Sequence, residues 1–152
     1  MTAMDVFVRY ADNRKAVARL EEKIERRRAL ATGDGSPRLS PDGGSRGSGD
    51  ASMRLLDYVA NVDELLDERN KAQRQMDADR ACCVYLAETL DDNYAGVMLR
   101  CWLEGMGLRQ VADDMGYSVS SIKRIKRAAE ELLARIEILY WDGVNVPVLS
   151  VG

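Results

Sequence analysis

The sequence predicts an all-α protein, with long N-terminal helices (hairpin or coiled-coil-like) followed by a C-terminal helix-turn-helix module. Three observations carry that expectation. Apolar residues recur at spacings of three, four and seven over residues 4–31 and 51–90. Charged residues make up 31% of the chain and aromatics 6%, which favours helices laced with surface ion pairs over a thick β core. The segment Leu108–Ala128, LRQVADDMGYSVSSIKRIKRA, spaces its apolar residues as two crossed helices require. A chain of 152 residues makes one modest domain with appendages.

Residues 1–31 hold the first helix. Val6, Tyr10, Val17, Leu20, Ile24 and Ala31 form a narrow stripe, broken by Asn13 and Arg27, on an otherwise charged surface. Such a stripe suits pairing with another long helix. The cluster Arg26–Arg28 sits near the C-terminus, where cations complement the helix dipole. Residues 32–50, TGDGSPRLSPDGGSRGSGD, read as a flexible Gly/Ser/Pro linker that holds too little apolar surface to offset ordering entropy. As a coil it would span roughly 25 Å. Residues 51–90 read as a helical arm. Leu55, Tyr58, Val62, Leu65, Ala72, Met76, Cys83, Leu86 and Leu90 approximate a heptad, with Arg69 and Asp79 interrupting it. An antiparallel hairpin with the first helix, or a dimer of such hairpins, would bury this stripe. A dimerisation arm and an intrachain prop both remain open.

Residues 91–141 form the C-terminal module. Asp91–Asn93 supply a turn and an N-cap. Tyr94–Leu103 is a short helix with Val97, Met98 and Trp102 inward, ended by Gly105 and Gly107. Val111, Ala112 and Met115 share one face of the next helix, and Ala112 is small where the backbones approach. Gly116 ends that helix, because positive φ costs glycine no Cβ clash. Tyr117 packs into the corner and Ser118 caps the second helix. Ile122, Ile125 and Ala129 form that helix's buried stripe, and it continues through Leu132, Leu133, Ile136 and Leu139 to about Trp141. Residues 142–152 are a tail of low helix potential, frayed or extended against a partner.

The face opposite the Ile122/Ile125/Ala129 stripe carries Ser120, Lys123, Arg124 and Arg127. Ser118–Ala128 contains four cations and no acid, on a chain of net charge −3. A local cationic face on an acidic protein suits phosphate and base edges. Arg and Lys bond guanine O6 and N7 in the major groove, and Ser bonds several bases. A merely solvated face explains the charge alone; it does not explain the accompanying Ala, Gly, Ser and Ile spacing.

Val111–Ala112, Met115–Gly116, Ser118, Ile122 and Arg127–Ala128 stand where an apolar pair, a turn, a cap and a basic helix are found in a known family. On these residues Tyr94–Ala128 resembles the DNA-reading C-terminal region of bacterial sigma factors. The resemblance implies a helix that enters the major groove, with Ser118, Ser120, Ser121, Lys123, Arg124 and Arg127 as the residues carried over. It also implies that Arg109 and Gln110 meet backbone phosphate. Ser118, Arg109, Gln110 and Lys126 are expected to set the register on the DNA backbone. The acid common before the apolar pair is replaced by Gln110. No segment resembles the promoter-melting regions with their clustered aromatics, and Phe7 is the only Phe. The layout is similar to small transcription regulators encoded by phages or prophages.

The expected function is therefore sequence-specific DNA binding in transcription regulation. The partners are double-stranded DNA, RNA polymerase as a further candidate, and a second copy through the N-terminal helices. Two alternatives stay open. One is the small subunit of a phage DNA-packaging terminase, in which the DNA module usually comes first rather than last. The other is an adaptor that binds polymerase or sigma factor without reading DNA. An enzyme is not expected, since the chain has no His, no Gly-rich phosphate loop and no nucleophile with a base. Asp113 and Asp114 point about 100° apart on a helix and cannot act on one bond. Cys82, Cys83 and Cys101 lack metal-ligand spacing and read as packing residues in a reducing cytosol, so no metal or cofactor is expected. No apolar run has transmembrane length and no signal-peptide pattern opens the chain, which points to a cytoplasmic protein away from membranes.

Overall fold

A computed structural model describes residues 1–32 and 48–151, with side chains for residues 1–30 and 54–151. The described chain is mostly helical. The order is α1 (Ala3–Thr32), α2 (Ser48–Glu88), α3 (Asp92–Met98), a π-helical turn (Leu99–Leu103), α4 (Leu108–Met115), α5 (Val119–Ala134), β1 (Ile136–Tyr140) and β2 (Val148–Val151). The expected linker, residues 32–50, is corrected at both ends, since Thr32 closes α1 and residues 48–50 open α2; its remaining residues, 33–47, lie outside the described residues. No described helix is long and apolar enough to cross a membrane.

The chain divides into two compact units. The first comprises Met1–Arg14 with Arg74–Gly152, the second Lys15–Gln73. In the second unit Val17 and Ile24 of α1 and Val62 of α2 are buried, as their spacing predicts. Glu21 Oε1 meets Arg69 Nε at 3.7 Å, an intrachain pair between the two helices. Leu55, placed on the stripe by its heptad position, is exposed, as are Leu56 and Val59.

The first unit has two apolar clusters. One gathers Val6, Phe7 and Tyr10 of α1, Cys82, Cys83 and Leu86 of α2, Met98, Leu103, Ala129, Leu133 and Ile136. Each fully buried Leu, Ile, Val, Met or Phe contributes about 1.5–3 kcal/mol, and the chain's one Phe lies at the centre of this cluster with no exposed surface. Asp79 is fully buried beside it. Arg9 donates to its carboxylate through Nε (2.8 Å) and Nη2 (2.7 Å), and Gln75 Nε2 donates at 3.0 Å. A carboxylate removed from water requires such partners. The second cluster, Val97, Val111, Ala112 and Ile122, joins α3, α4 and α5.

α3 does not run on as a regular helix to Leu103. After Met98 the backbone widens, and Glu104 N–H bonds Leu99 O at 3.0 Å, the i+5 spacing of a π-turn. Arg14 closes this end of the helix. Its Nη1 donates to the carbonyls of Leu103 (2.7 Å) and Trp102 (3.1 Å), which helix termination leaves without backbone partners. Gly105 follows at φ 69°.

The expectation that the last helix continues to about Trp141 is corrected. α5 ends at Ala134, and Ile136–Tyr140 pairs antiparallel with Val148–Val151. The residues Ile136 and Leu139 fit a helical period, but Ile136 and Ile138 fit a strand period as well, and both are β-branched. The pairing partner Val148–Val151 decides between them. The connection is fixed by Asp142, whose Oδ1 accepts from the backbone N–H of Val144 (2.8 Å) and Asn145 (2.7 Å). Gly143 takes φ 85° within it. Three bonds hold the Asp142 carboxylate: the Asn145 and Val144 amides, then the Asn145 side chain, and together they depress its pKa. The extended tail thus lies against its own chain. The opposite edge of β1 is bridged by Thr2 to Glu137, with Ile138 N–H bonding Met1 O at 2.9 Å.

Candidate nucleic-acid interface

The site begins with a glycine. Gly116 ends α4 at φ 75°, ψ 28°, the left-handed conformation expected of it, and the N–H of Tyr117 returns to Ala112 O at 3.0 Å. Ser118 then turns to extended geometry and caps α5, its Oγ accepting from Ser121 N–H at 3.1 Å. Its hydroxyl also donates to Ser121 Oγ at 2.9 Å. The two serines therefore satisfy each other at the helix start, and Ser121 is half-buried.

Packing fixes which side of α5 faces out. Ile122, Ala129 and Leu133 have no exposed surface, and Ile125 is half-buried at the edge of the stripe. Val111 and Ala112 of α4 are buried against Ile122, where the small Ala112 permits close approach. Two polar links tie the neighbouring helices. Arg100 Nε bonds Asp114 Oδ2 at 2.6 Å, and Tyr117 OH donates to Asn93 Oδ1 at 3.0 Å. Tyr117 is thus an exposed strut from the turn to the start of α3, rather than a buried corner residue. Asn93 serves that strut, and Asp91 begins α3 without a side-chain cap.

On the outer side Ser120, Lys123, Arg124 and Arg127 are exposed and together line one open depression. Among the described residues none of the three cations has an ion-pair partner. Arg109 and Gln110 are exposed on the first turn of α4, and Asp113 is exposed beyond them. Lys126 differs from the rest. It is half-buried, its Nζ lies 2.5 Å from Glu130 Oε1 and 5.3 Å from the centre of the Trp102 ring. Lys126 is thus engaged by its own chain, unlike the three outward cations. Helical spacing alone put Lys126 beside Lys123 and Arg127. The missing signal is the i+4 acid, Glu130, together with the aromatic that the π-turn brings beneath it.

The arrangement offers a row of exposed cations and a hydroxyl on a helix held by its buried face, suited to anionic surfaces with hydrogen-bonding edges. Among the described residues no three His, Cys, Asp or Glu side chains converge as metal ligands. The thiols are packed away from this face. Burial pushes the Cys82 thiol up to about 11 and Cys83 higher still, and burial also raises Cys101. No protein-family model, curated protein or solved structure matches the chain.

Proposed function

We propose that this chain is a sequence-specific double-stranded DNA-binding protein, with α4 and α5 acting as a helix-turn-helix and α5 entering the major groove. One observation carries the reading: Ser120, Lys123, Arg124 and Arg127 share the exposed face of a helix whose opposite face is locked in the core. A helix of 16 residues held rigidly by one side is a suitable probe for a groove about 12 Å wide. Residues near its N-terminal end read base edges in such docking, which places Ser120, Lys123 and Arg124 nearest the bases and Arg127 toward the flanking phosphates. Arg109 and Gln110 at the start of α4 are positioned for backbone contact, and the first turn of α4 carries Arg109 and no acid, so its charge and the helix dipole both favour an anion there. The likeness of Tyr94–Ala128 to the DNA-reading region of sigma factors supports a role in transcription regulation of the kind found in phages and prophages, with RNA polymerase as a second partner.

The test is a duplex-binding assay on fragments selected from a genomic pool by the full chain. The double variant Arg124→Ala/Arg127→Ala is expected to lose site-specific retention with unchanged helicity. A base contact of this type is worth about 1–3 kcal/mol, so each substitution weakens specific binding several-fold or more. Wild-type binding is expected to fall steeply with salt. Retention by the double variant equal to wild type would overturn the assignment, and an adaptor that does not read DNA would show no salt-dependent duplex binding.

A further inference from the structure

We propose that the outer edge of β2 is a dimerisation surface, which pairs antiparallel with β2 of a second copy across a two-fold axis at Ser150. The direction of the backbone groups follows from one hydrogen bond. Ile138 N–H points to Met1 O, away from β2. Its ladder partner Leu149 therefore turns its own N–H and C=O to the other side, and by the two-residue period so does Val151, the partner of Ile136. Ser150 points its backbone at β1. The free edge thus presents two donors and two acceptors, on residues 149 and 151, symmetric about residue 150.

That symmetry matches a second copy. Placing Ser150 against its equivalent sets Leu149 opposite Val151 twice, which forms four backbone hydrogen bonds. On such an axis every side chain meets itself or a near neighbour, so a charge there would face a like charge. Residues 143–152, GVNVPVLSVG, contain no ionisable side chain in a chain that is otherwise 31% charged. Exposed edges are ordinarily guarded by Lys, Pro or bulges. Here Pro147 precedes β2 and the irregularity lies on β1 between Ile138 and Tyr140, so neither blocks the outer edge at Leu149–Val151.

The surrounding surface supplies apolar area. Leu139, Tyr140, Val144, Val146, Val148 and Val151 are all exposed, Val144 at 87% and Val151 at 77%. These side chains lie around one hairpin, with Val148 and Val151 on opposite faces of β2, so a copy paired at its edge meets apolar surface on both faces. Exposed apolar side chains concentrated in this way mark an interaction site. The described intrachain pairs of α1 with α2, Arg9–Asp79 and Glu21–Arg69, use none of this surface.

The experiment uses the full chain without DNA, so its outcome is independent of the nucleic-acid reading. Sedimentation equilibrium of the wild type is expected to show a dimer. Val151→Pro removes an outward N–H and an exposed side chain while sparing the ladder to β1, and is expected to weaken the dimer at least about tenfold with helicity intact. Ser150→Cys provides a second measurement that does not depend on disrupting the strand. Equivalent non-hydrogen-bonded residues in antiparallel pairs lie about 4.5 Å apart at Cα, within disulfide range. Mild oxidation is therefore expected to convert Ser150→Cys, and not the wild type, to a covalent dimer. A wild type that stays monomeric overturns the proposal. So does a dimer that survives Val151→Pro and fails to cross-link through position 150, the pattern of pairing through the helical arms.

Discussion

Arg9 holds the fully buried Asp79 with two parallel hydrogen bonds of 2.7 and 2.8 Å, seventy positions apart in the chain. The carboxylate side of the pair has no exposed surface, whereas Arg9 keeps a third of its side chain in solvent. Asp79 is the dominant contact of the guanidinium and raises its pKa, so Arg9 is charged at every accessible pH. The two residues join α1 to the end of α2 within one unit, and the penalty for removing one partner is asymmetric.

Arg9→Ala strands a buried charge with only Gln75 to compensate it. We predict a loss of about 3 kcal/mol, the lower part of the range for a broken buried pair, read from the urea midpoint. Asp79→Asn keeps the bond to Gln75 and is expected to cost less. The double variant Arg9→Leu/Asp79→Leu should recover most of the loss, because two apolar residues leave no charge to solvate.

The buried thiols predict an alkaline limit. An unfolded cysteine titrates near 9.0, and burial holds Cys82 near 11 and Cys83 higher. Because the folded values are raised, their contribution is complete below pH 9 and is lost as the pH climbs toward 11. The urea stability of the wild type should therefore fall across that window, and more steeply than that of Cys82→Ala/Cys83→Ala. At pH 8 iodoacetamide should leave both thiols unmodified in the folded protein and alkylate them rapidly in urea.

Three glycines predict a graded series. Gly116→Ala meets no atom but must hold a left-handed backbone, at a cost of about 1–2 kcal/mol. Gly105→Ala carries the same backbone strain, and its Cβ would also lie 2.9–3.0 Å from the Arg14 guanidinium that binds the Trp102 and Leu103 carbonyls. It should cost more than Gly116→Ala. Gly107→Ala has φ −70° and open space around it, so its melting temperature should match the wild type closely.

Lys126 and Lys123 predict opposite signatures. Lys123→Ala should shallow the salt dependence of duplex binding by about one phosphate contact and leave stability unchanged. Lys126→Ala breaks the contacts to Glu130 and Trp102 and should lower the melting temperature with little change in salt slope. Equal salt slopes for the two variants would show that Lys126 leaves Glu130 to meet DNA.

The helix start and stop signals around residues 107–122 were readable because they are local. A left-handed glycine, a serine cap and an Ile stripe each act within a turn of helix, and Gly116, Ser118 and Ile122 sit where their chemistry places them. The outward face of α5 followed from the same period. What the sequence did not disclose depends on distant residues. The hairpin at 136–151 forms because Val148–Val151 offers a ladder to a segment that also satisfied a helical pattern. The π-turn at Leu99–Leu103 has no local marker, and it decides where Trp102 lies and so where Lys126 points. Asp79 broke the heptad as a polar interruption; its buried role depends on Arg9, which sequence spacing does not connect to it.

The first fourteen residues belong to the same compact unit as residues 74 onward, with the stretch between them forming a separate body. Phe7 fills the same cluster as Leu133, and Arg14 closes the carbonyls at the end of the π-turn. Dissection by chain order would therefore cut across the architecture. A fragment starting at Asp91 would expose the apolar seat of Phe7 and lose the guanidinium clamp. The natural way to isolate this unit is an internal deletion that removes residues 15–73 and joins Arg14 to Arg74 through a bridge.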